Sequence, residues 1–267
     1  MPRRSRLDAE LVRRGLARSR QQAAELVAAG RVLVGGAPAT KPATGVLAAD
    51  AVVLAVAEPD DFVSRGGPKL AGALDAWKPG GPAIAGRRCL DAGASTGGFT
   101  DVLLRRGASS AFAVDVGYGQ LAWRLRTDPR VCVLDRTNVR YLTPERLAGP
   151  VDLTVADLSF ISLPLVLPAL ARCTRSDGDL VVLVKPQFEV GRQRLPRGGV
   201  VRAPAERAAA VEAVATAAAE LGLGVSGIAA SPLPGPAGNV EYFLWLRADA
   251  AALDTDALAR VVEEGPQ

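Results

Sequence analysis

From Arg87 onward the chain alternates between two kinds of segment, and that alternation restricts the fold more than any other feature. The apolar runs RRCLDAG, AFAVDV, RVCVLDRTN, VDLTVADLSF and DLVVLVKPQF are separated by stretches such as FTDVLLRRGA and GQLAWRLR. A long alanine-rich helix is expected from about Pro204 to Leu221, and two more strand-like runs follow it, VSGIAAS and VEYFLWLR. Buried strands interleaved with helices predict a mostly parallel, doubly wound α/β sheet of seven strands, covered on both faces. Ligands of such sheets sit beyond the carboxyl ends of the strands. The informative residues are therefore those that end each run: Asp91, Asp115, Asn138, Asp157 and Lys185. An aspartate at a strand end is often an ordinary helix cap. Lys185 is not a capping type; it follows LVVLV and precedes Pro186.

The loop after the first of these strands, DAGASTGGFT at residues 91–100, permits two readings. Gly93-Ala94-Ser95-Thr96-Gly97 spells the G-x-S-x-G turn of a hydrolase nucleophile. That chemistry needs an imidazole to take the serine proton, and the chain contains no histidine. The other reading is a glycine-rich loop that lets a nucleotide-like ligand approach the backbone. It lacks the second glycine of the dinucleotide fingerprint, and no Walker lysine follows it. Cys89, Cys132 and Cys173 are far apart, without a C-x-x-C. Neither a zinc site nor a disulfide partner is expected, and Cys89 and Cys132 read as small core residues in a reducing compartment.

A chain of 267 residues accommodates one large domain or two unequal ones, and charge argues for two. Residues 1–57 hold nine Arg and Lys against four Asp and Glu, a net of +5, whereas the whole chain carries +4. A basic front end on a near-neutral body points to an anionic polymer as partner, against the plainer reading of a solvated arginine face. The front end has its own local pattern. Leu7, Leu11 and Val12 line a short helix ending at Gly15; Ser19 to Gln22 form an S-x-x-Q capping box for a second helix ending at Gly30. RVLV, a Gly35-Gly36 turn and a strand AVVLAV follow. The expected divisions are a small α+β domain over 1–58, a linker over 59–64, the α/β body over 65–250 and a C-terminal helix or tail over 251–267. No segment reads as a secretory signal or a spanning helix, so a soluble, cytoplasmic protein is expected.

Four resemblances extend this reading. RLDAELVRRGLARSRQQAAELVAAGRVLVGG resembles the S4-type RNA-binding domain, which implies contacts to structured RNA through Arg4, Arg6, Arg18, Arg20 and Arg31. DAGASTGGFT followed by an acid at the next strand end resembles class I S-adenosylmethionine-dependent methyltransferases. That resemblance implies cofactor contacts from Asp91, Gly93, Ser95, Thr96, Gly97, Gly98, Phe99, Asp115, Asn138 and Asp157. Lys69, Asp157, Lys185 and Glu241, in that chain order, resemble the tetrad of RNA ribose 2′-O-methyltransferases, with Lys185 as general base. Taken in sequence, VSRGGPKL, DAGASTGGFT, DVGYGQL, DRTN, VADLSFISL, VKPQFEVG and PGPAGNVEYFLW are similar to the haemolysin A (TlyA) family. This resemblance implies methylation of ribosomal RNA at cytidine ribose, with ribosomal RNA or subunits as partners and no metal. The rival reading is a ribosome- or RNA-binding protein whose methyltransferase fold is idle, and the intact Lys-Asp-Lys-Glu set weighs against it.

Overall fold

In a computed structural model of the chain, which describes residues 4–28, 30–54, 62–191 and 193–265, the polypeptide divides into two units, residues 1–61 and 62–267. The first unit is built on α1 (Leu7–Arg13) and α2 (Arg20–Ala28). Leu7 and Leu11, one helical turn apart, are wholly buried with Ala23, Val27, Val32 and Val46. Ser19 Oγ accepts from the Gln22 amide at 3.1 Å, while Gln22 Oε1 accepts from the Arg18 amide at 2.7 Å. The cap is thus reciprocal, but its second bond falls one residue earlier than in a capping box. Five short strands complete the unit: β1 (Ser5–Arg6), β2 (Val32–Val34), β3 (Ala37–Pro38), β4 (Gly45–Val46) and β5 (Val52–Leu54). They form an antiparallel β3-β2-β5 sheet and a separate β1-β4 pair. The expected continuation of AVVLAV through Val56, and residues 59–61 of the expected linker, lie outside the described residues.

The second unit opens with α3 (Gly66–Ala76), a helix not anticipated from the sequence. Its sheet comprises β6 (Arg88–Ala92), β7 (Ser110–Val114), β8 (Val131–Leu134), β9 (Val151–Ala156), β10 (Thr174–Val184), β11 (Gly224–Ala230) and β12 (Tyr242–Arg247). The spatial order is β11-β12-β10-β9-β6-β7-β8, and only β12 runs against the others. The chain starts at β6, winds outward to β8, then returns to β9 on the other side of β6. That reversal is the topological switch point, where a crevice opens between strand ends.

The remaining helices are α4 (Gly98–Arg105), α5 (Trp123–Arg126), α6 (Leu167–Cys173), α7 (Pro186–Glu189), α8 (Pro204–Ala219) and α9 (Thr255–Glu264). Strand pleating distributes side chains to two cores. Cys89, Leu153, Val155, Val181, Leu183 and Phe243 meet α3 and α4; Leu90, Ala156, Val182, Val184, Tyr242 and Leu244 meet α6, α8 and α9. The tail therefore docks: Leu258 and Val262 of α9 belong to the second core. The helix expected from Gly119 is confined to the four residues of α5, and Cys132, expected in the core, is exposed on edge strand β8.

Candidate active site

Register brings the tetrad together. Val184 pairs with Tyr242 in the antiparallel β10-β12 ladder, so Lys185 and Glu241 face each other one step past its end. Ala156 pairs with Val182 on one side and Ala92 on the other, and Asp157 follows it. With a side-chain period of two, Asp157, Lys185 and Glu241 share the sheet face that meets α3, which carries Lys69. Lys185 Nζ lies 2.5 Å from Asp157 Oδ1, an ion pair whose angles fall outside those of a hydrogen bond, and donates to Ser159 Oγ at 3.0 Å. Lys69 Nζ donates to Glu241 Oε2 at 2.6 Å. Lys69 is 6% exposed, Lys185 8% and Glu241 1%. Lysines are rarely buried to this degree without a partner, and here each has a carboxylate. Lys69 is therefore not a solvated surface lysine. Glu241 does not guard an edge either, since it leads into β12, which lies between β11 and β10.

The glycines of DAGASTGGFT serve packing within the protein. Gly93 has φ +87°, and a Cβ there would lie 3.0 Å from Leu158 Cδ2 and still closer to the Asp157 carbonyl. At Gly98 a Cβ would lie 2.8 Å from the Gly67 amide nitrogen and 3.0 Å from Gly66 Cα. The paired glycines of SRGGPKL and STGGFT thus let the first turns of α3 and α4 touch, and that contact delivers Lys69 to the site. Arg65 donates to the Pro234 carbonyl at 3.0 Å and ties the start of α3 to the loop before Glu241.

Two residues expected at a cofactor have side chains buried within the protein. Asp91 is wholly buried, and its Oδ2 accepts from the Thr100 amide at 2.8 Å and Thr100 Oγ1 at 2.6 Å. It fastens the first turn of α4 through that oxygen, while Oδ1 is buried without a hydrogen-bond partner among the described residues. Phe99 is 3% exposed and packs on Phe243 at 5.9 Å between centroids. The local motif reads as a ligand loop, yet these two side chains turn inward because the loop enters a helix packed on the sheet. Gly97 and Gly98 are likewise buried, and the open surface of the loop is Ser95, which is exposed at φ +48°, and half-buried Thr96. Asp115 accepts from the Ser95 amide at 2.8 Å on one oxygen and from the Gly117 amide at 2.7 Å on the other, leaving each oxygen a further lone pair. Asn138 is exposed; its Oδ1 caps the next turn through the Arg140 amide at 3.0 Å, leaving its amide group.

Burial pushes the Asp91 carboxyl up to about 7, against the lowering effect of the Thr100 hydrogen bonds. A carboxyl raised by folding binds more protons in the folded than in the unfolded state between its two pKa values, so its contribution falls as pH rises through that window. Asp91→Asn keeps an acceptor for Thr100 and does not titrate. Its urea midpoint is expected to rise relative to the parent's between pH 5 and pH 8, a window with no histidine to complicate it. A constant difference across that range would show that Asp91 is ionised throughout.

Several residues around the site had no clear sequence signal. Ser159 contacts Lys185, and Phe160 beside it is 91% exposed with φ +65°. Asn239 is 1% exposed; its Oδ1 accepts from the Val201 amide at 2.9 Å and its Nδ2 donates to the Gly199 carbonyl at 2.8 Å. The one hint was the polar Gly-Asn step just before VEYFLW.

In the first unit Arg4, Arg6, Arg18 and Arg20 are exposed and Arg31 is half-buried. Asp8, beneath them, accepts from Arg6 Nε at 3.1 Å and Nη2 at 2.9 Å, and from Arg20 Nη2 at 3.0 Å. The Arg6 guanidinium holds the Asp8 carboxyl far below the usual carboxylate range. Two of the candidate RNA contacts are therefore fixed in direction by one acid.

A seven-stranded sheet with this order, one reversed strand and a glycine loop after its first strand defines a class I methyltransferase, the S-adenosylmethionine-dependent class. The chain belongs to the FtsJ-like methyltransferase family, whose model matches residues 62–248, and an S4 domain is matched over residues 5–52. A relative from Mycobacterium tuberculosis, the 16S/23S rRNA (cytidine-2′-O)-methyltransferase TlyA, is 61% identical over 272 residues, covering 100% of both chains. Two solved structures described under the name hemolysin are also similar. That from Streptococcus thermophilus is 37% identical, covers 99% of this chain and 96% of its own, and has a TM-score of 0.77. That from Lactococcus lactis is 40% identical, covers 76% and 97%, and has a TM-score of 0.70. Among the described residues no helix is long and apolar enough to cross a membrane.

Proposed function

We propose that this chain methylates ribose 2′-hydroxyls of ribosomal RNA, at cytidine, using S-adenosylmethionine. The observation that carries the reading is Lys185: an amine 8% exposed, paired with Asp157 beyond the end of a central strand and beside the switch point. A charge at that place is costly unless the site uses it. The residues present suit the cofactor. Asp115 keeps acceptor capacity for two ribose hydroxyls, exposed Val116 follows it, Asn138 keeps a free amide group, and Ser95 and Thr96 line the open loop. When bound, S-adenosylmethionine supplies an electrophilic sulfonium methyl, whose sulfur departs as a neutral thioether.

The chain's own residues must hold the acceptor in line and take up its proton. Asp157 and Ser159 fix the Lys185 amine; in its neutral form that amine takes the proton of the 2′-hydroxyl and becomes ammonium beside Asp157. Lys69 and Glu241, fixed by α3 and β12, set the charge on the other side of Lys185. Exposed Phe160 offers an aromatic surface at the rim, of the kind on which unstacked bases lie. The S4 domain's arginines supply phosphate contacts, and the place of action is the cytoplasm, where ribosomal subunits are.

The test uses the full chain with subunits from a strain that lacks this methylation. Labelled S-adenosylmethionine should transfer label to ribosomal RNA, and nuclease digestion should release it as 2′-O-methylcytidine. Subunit binding without incorporation would favour the idle-fold alternative, and label on a base would overturn the tetrad reading.

A further inference from the structure

A loop and a helical turn leave the sheet side by side at the site, 157–163 after β9 and Lys185 with α7 after β10, and they are fastened at successive points. Lys185 contacts Asp157 at 2.5 Å and Ser159 at 3.0 Å; the Phe160 and Phe188 rings lie 5.3 Å apart. Beyond them, Glu189 Oε2 accepts from Ser162 Oγ at 2.6 Å and Oε1 accepts from the Leu163 amide at 3.0 Å. Between the lysine and glutamate fastenings stands Phe160, a bulky residue at φ +65° and 91% exposed. A side chain in that backbone region costs about 1–3 kcal/mol and persists only where its surroundings over-determine it. Its ring, exposed apart from the Phe188 contact, supplies little of that constraint, and the fastened residues on either side supply the rest.

We infer that Glu189 is a positioning residue for the acceptor: its paired acceptance from Ser162 and Leu163 holds the 158–163 loop, with Ser159 and Phe160, in place opposite Lys185. This rests on the proposed function, since it assigns the loop to the RNA side of that same reaction. Among the described residues Glu189 makes no hydrogen bond to Lys185 or Asp115, so its loss should leave cofactor binding intact and loosen the grip on RNA.

Glu189→Ala in the full chain removes both charge-assisted hydrogen bonds to the loop and should raise the KM for unmethylated ribosomal subunits about tenfold or more, with kcat changed less than about threefold. Calorimetric S-adenosylmethionine affinity should stay within about twofold. Glu189→Gln can accept from Leu163 and donate to Ser162, and should return KM to within about threefold of the parent. Adding Ser162→Ala to Glu189→Ala should change little more, because both remove one interaction. Hydrogen exchange of the amides at 158–163 in the free protein should quicken in Glu189→Ala alone. Unchanged KM and exchange, or a parallel fall in cofactor affinity, kcat and melting temperature, would overturn the positioning role. Faster exchange in a chain whose parent form transfers no methyl group would leave the clamp standing and sink the parent reading instead.

Discussion

Lys185→Ala should lose methyl transfer to ribosomal subunits by about 10³-fold or more, the upper range for removing a general base, while binding S-adenosylmethionine within about threefold of the parent. A ribose hydroxyl is a very weak acid, so its proton must leave as the methyl arrives. The Lys185 amine is placed for this by Asp157 at 2.5 Å and Ser159 at 3.0 Å, and it lies on the sheet face that also carries Glu241. Removal should leave the fold standing. Asp157 Oδ1 is buried beneath the lysine, but its side chain is 23% exposed, so water entering the space the lysine vacates can replace the lost ammonium. Lys185→Arg separates two roles for the same atom. A guanidinium keeps the positive charge but cannot accept a proton at any working pH. If Lys185 takes the proton, the arginine variant should be as inactive as the alanine one in single-turnover label transfer. Arginine retaining activity within about tenfold would show that a fixed cation is enough, and the base role would be wrong although the site was right.

The residues at strand ends were legible because a buried strand is an unbroken apolar run, and the polar residue that stops it marks the ligand edge. Asp115, Asp157 and Lys185 were singled out in this way, and each directly follows the last residue of its strand. Lys69 was harder to place. SRGGPKL gives no sign of burial, which depends on Glu241, 172 residues away. The burial of Asp91 and Phe99 was hard to read for a related reason. The motif that suggests a ligand loop also begins a packed helix, and the inward turn of both side chains is set by Thr100 and Phe243. The glycines were singled out for a ligand's approach; in the fold Gly98 answers to Gly66, Gly67 and Ser64, which only tertiary contact brings near. Phe160 and Glu189 carried no periodic signal at all, because a loop and a single turn held by side-chain bonds follow no repeat.

Glu241→Ala should destabilise the second unit by about 3–5 kcal/mol, because it leaves the Lys69 ammonium buried without its carboxylate. For a unit of this size that corresponds to a fall of roughly 10 °C in melting temperature. The pair is closed in on every side the structure describes. Lys69 is 6% exposed and Glu241 1%, and a Cβ on Gly235 would lie 2.5 Å from Glu241 Oε1, so PGPAGN uses that glycine to clear room for the acid. Stability alone would not show what the pair is for, since buried ion pairs often add nothing over apolar residues of similar volume. The deciding variant is therefore the double replacement of Lys69 and Glu241 by methionine. It removes both charges together, fills similar space, and should recover most of the melting temperature lost in Glu241→Ala. Its methyl transfer should nevertheless remain at least about 10²-fold below the parent, because the fixed charges flanking Lys185 are gone while the hydrophobic contacts are restored. A double variant that regained both stability and activity would reduce the pair to a structural strut joining α3 to β12. The proton-transfer chemistry would then rest on Asp157 and Lys185 alone, the two groups held at the switch point by the sheet itself.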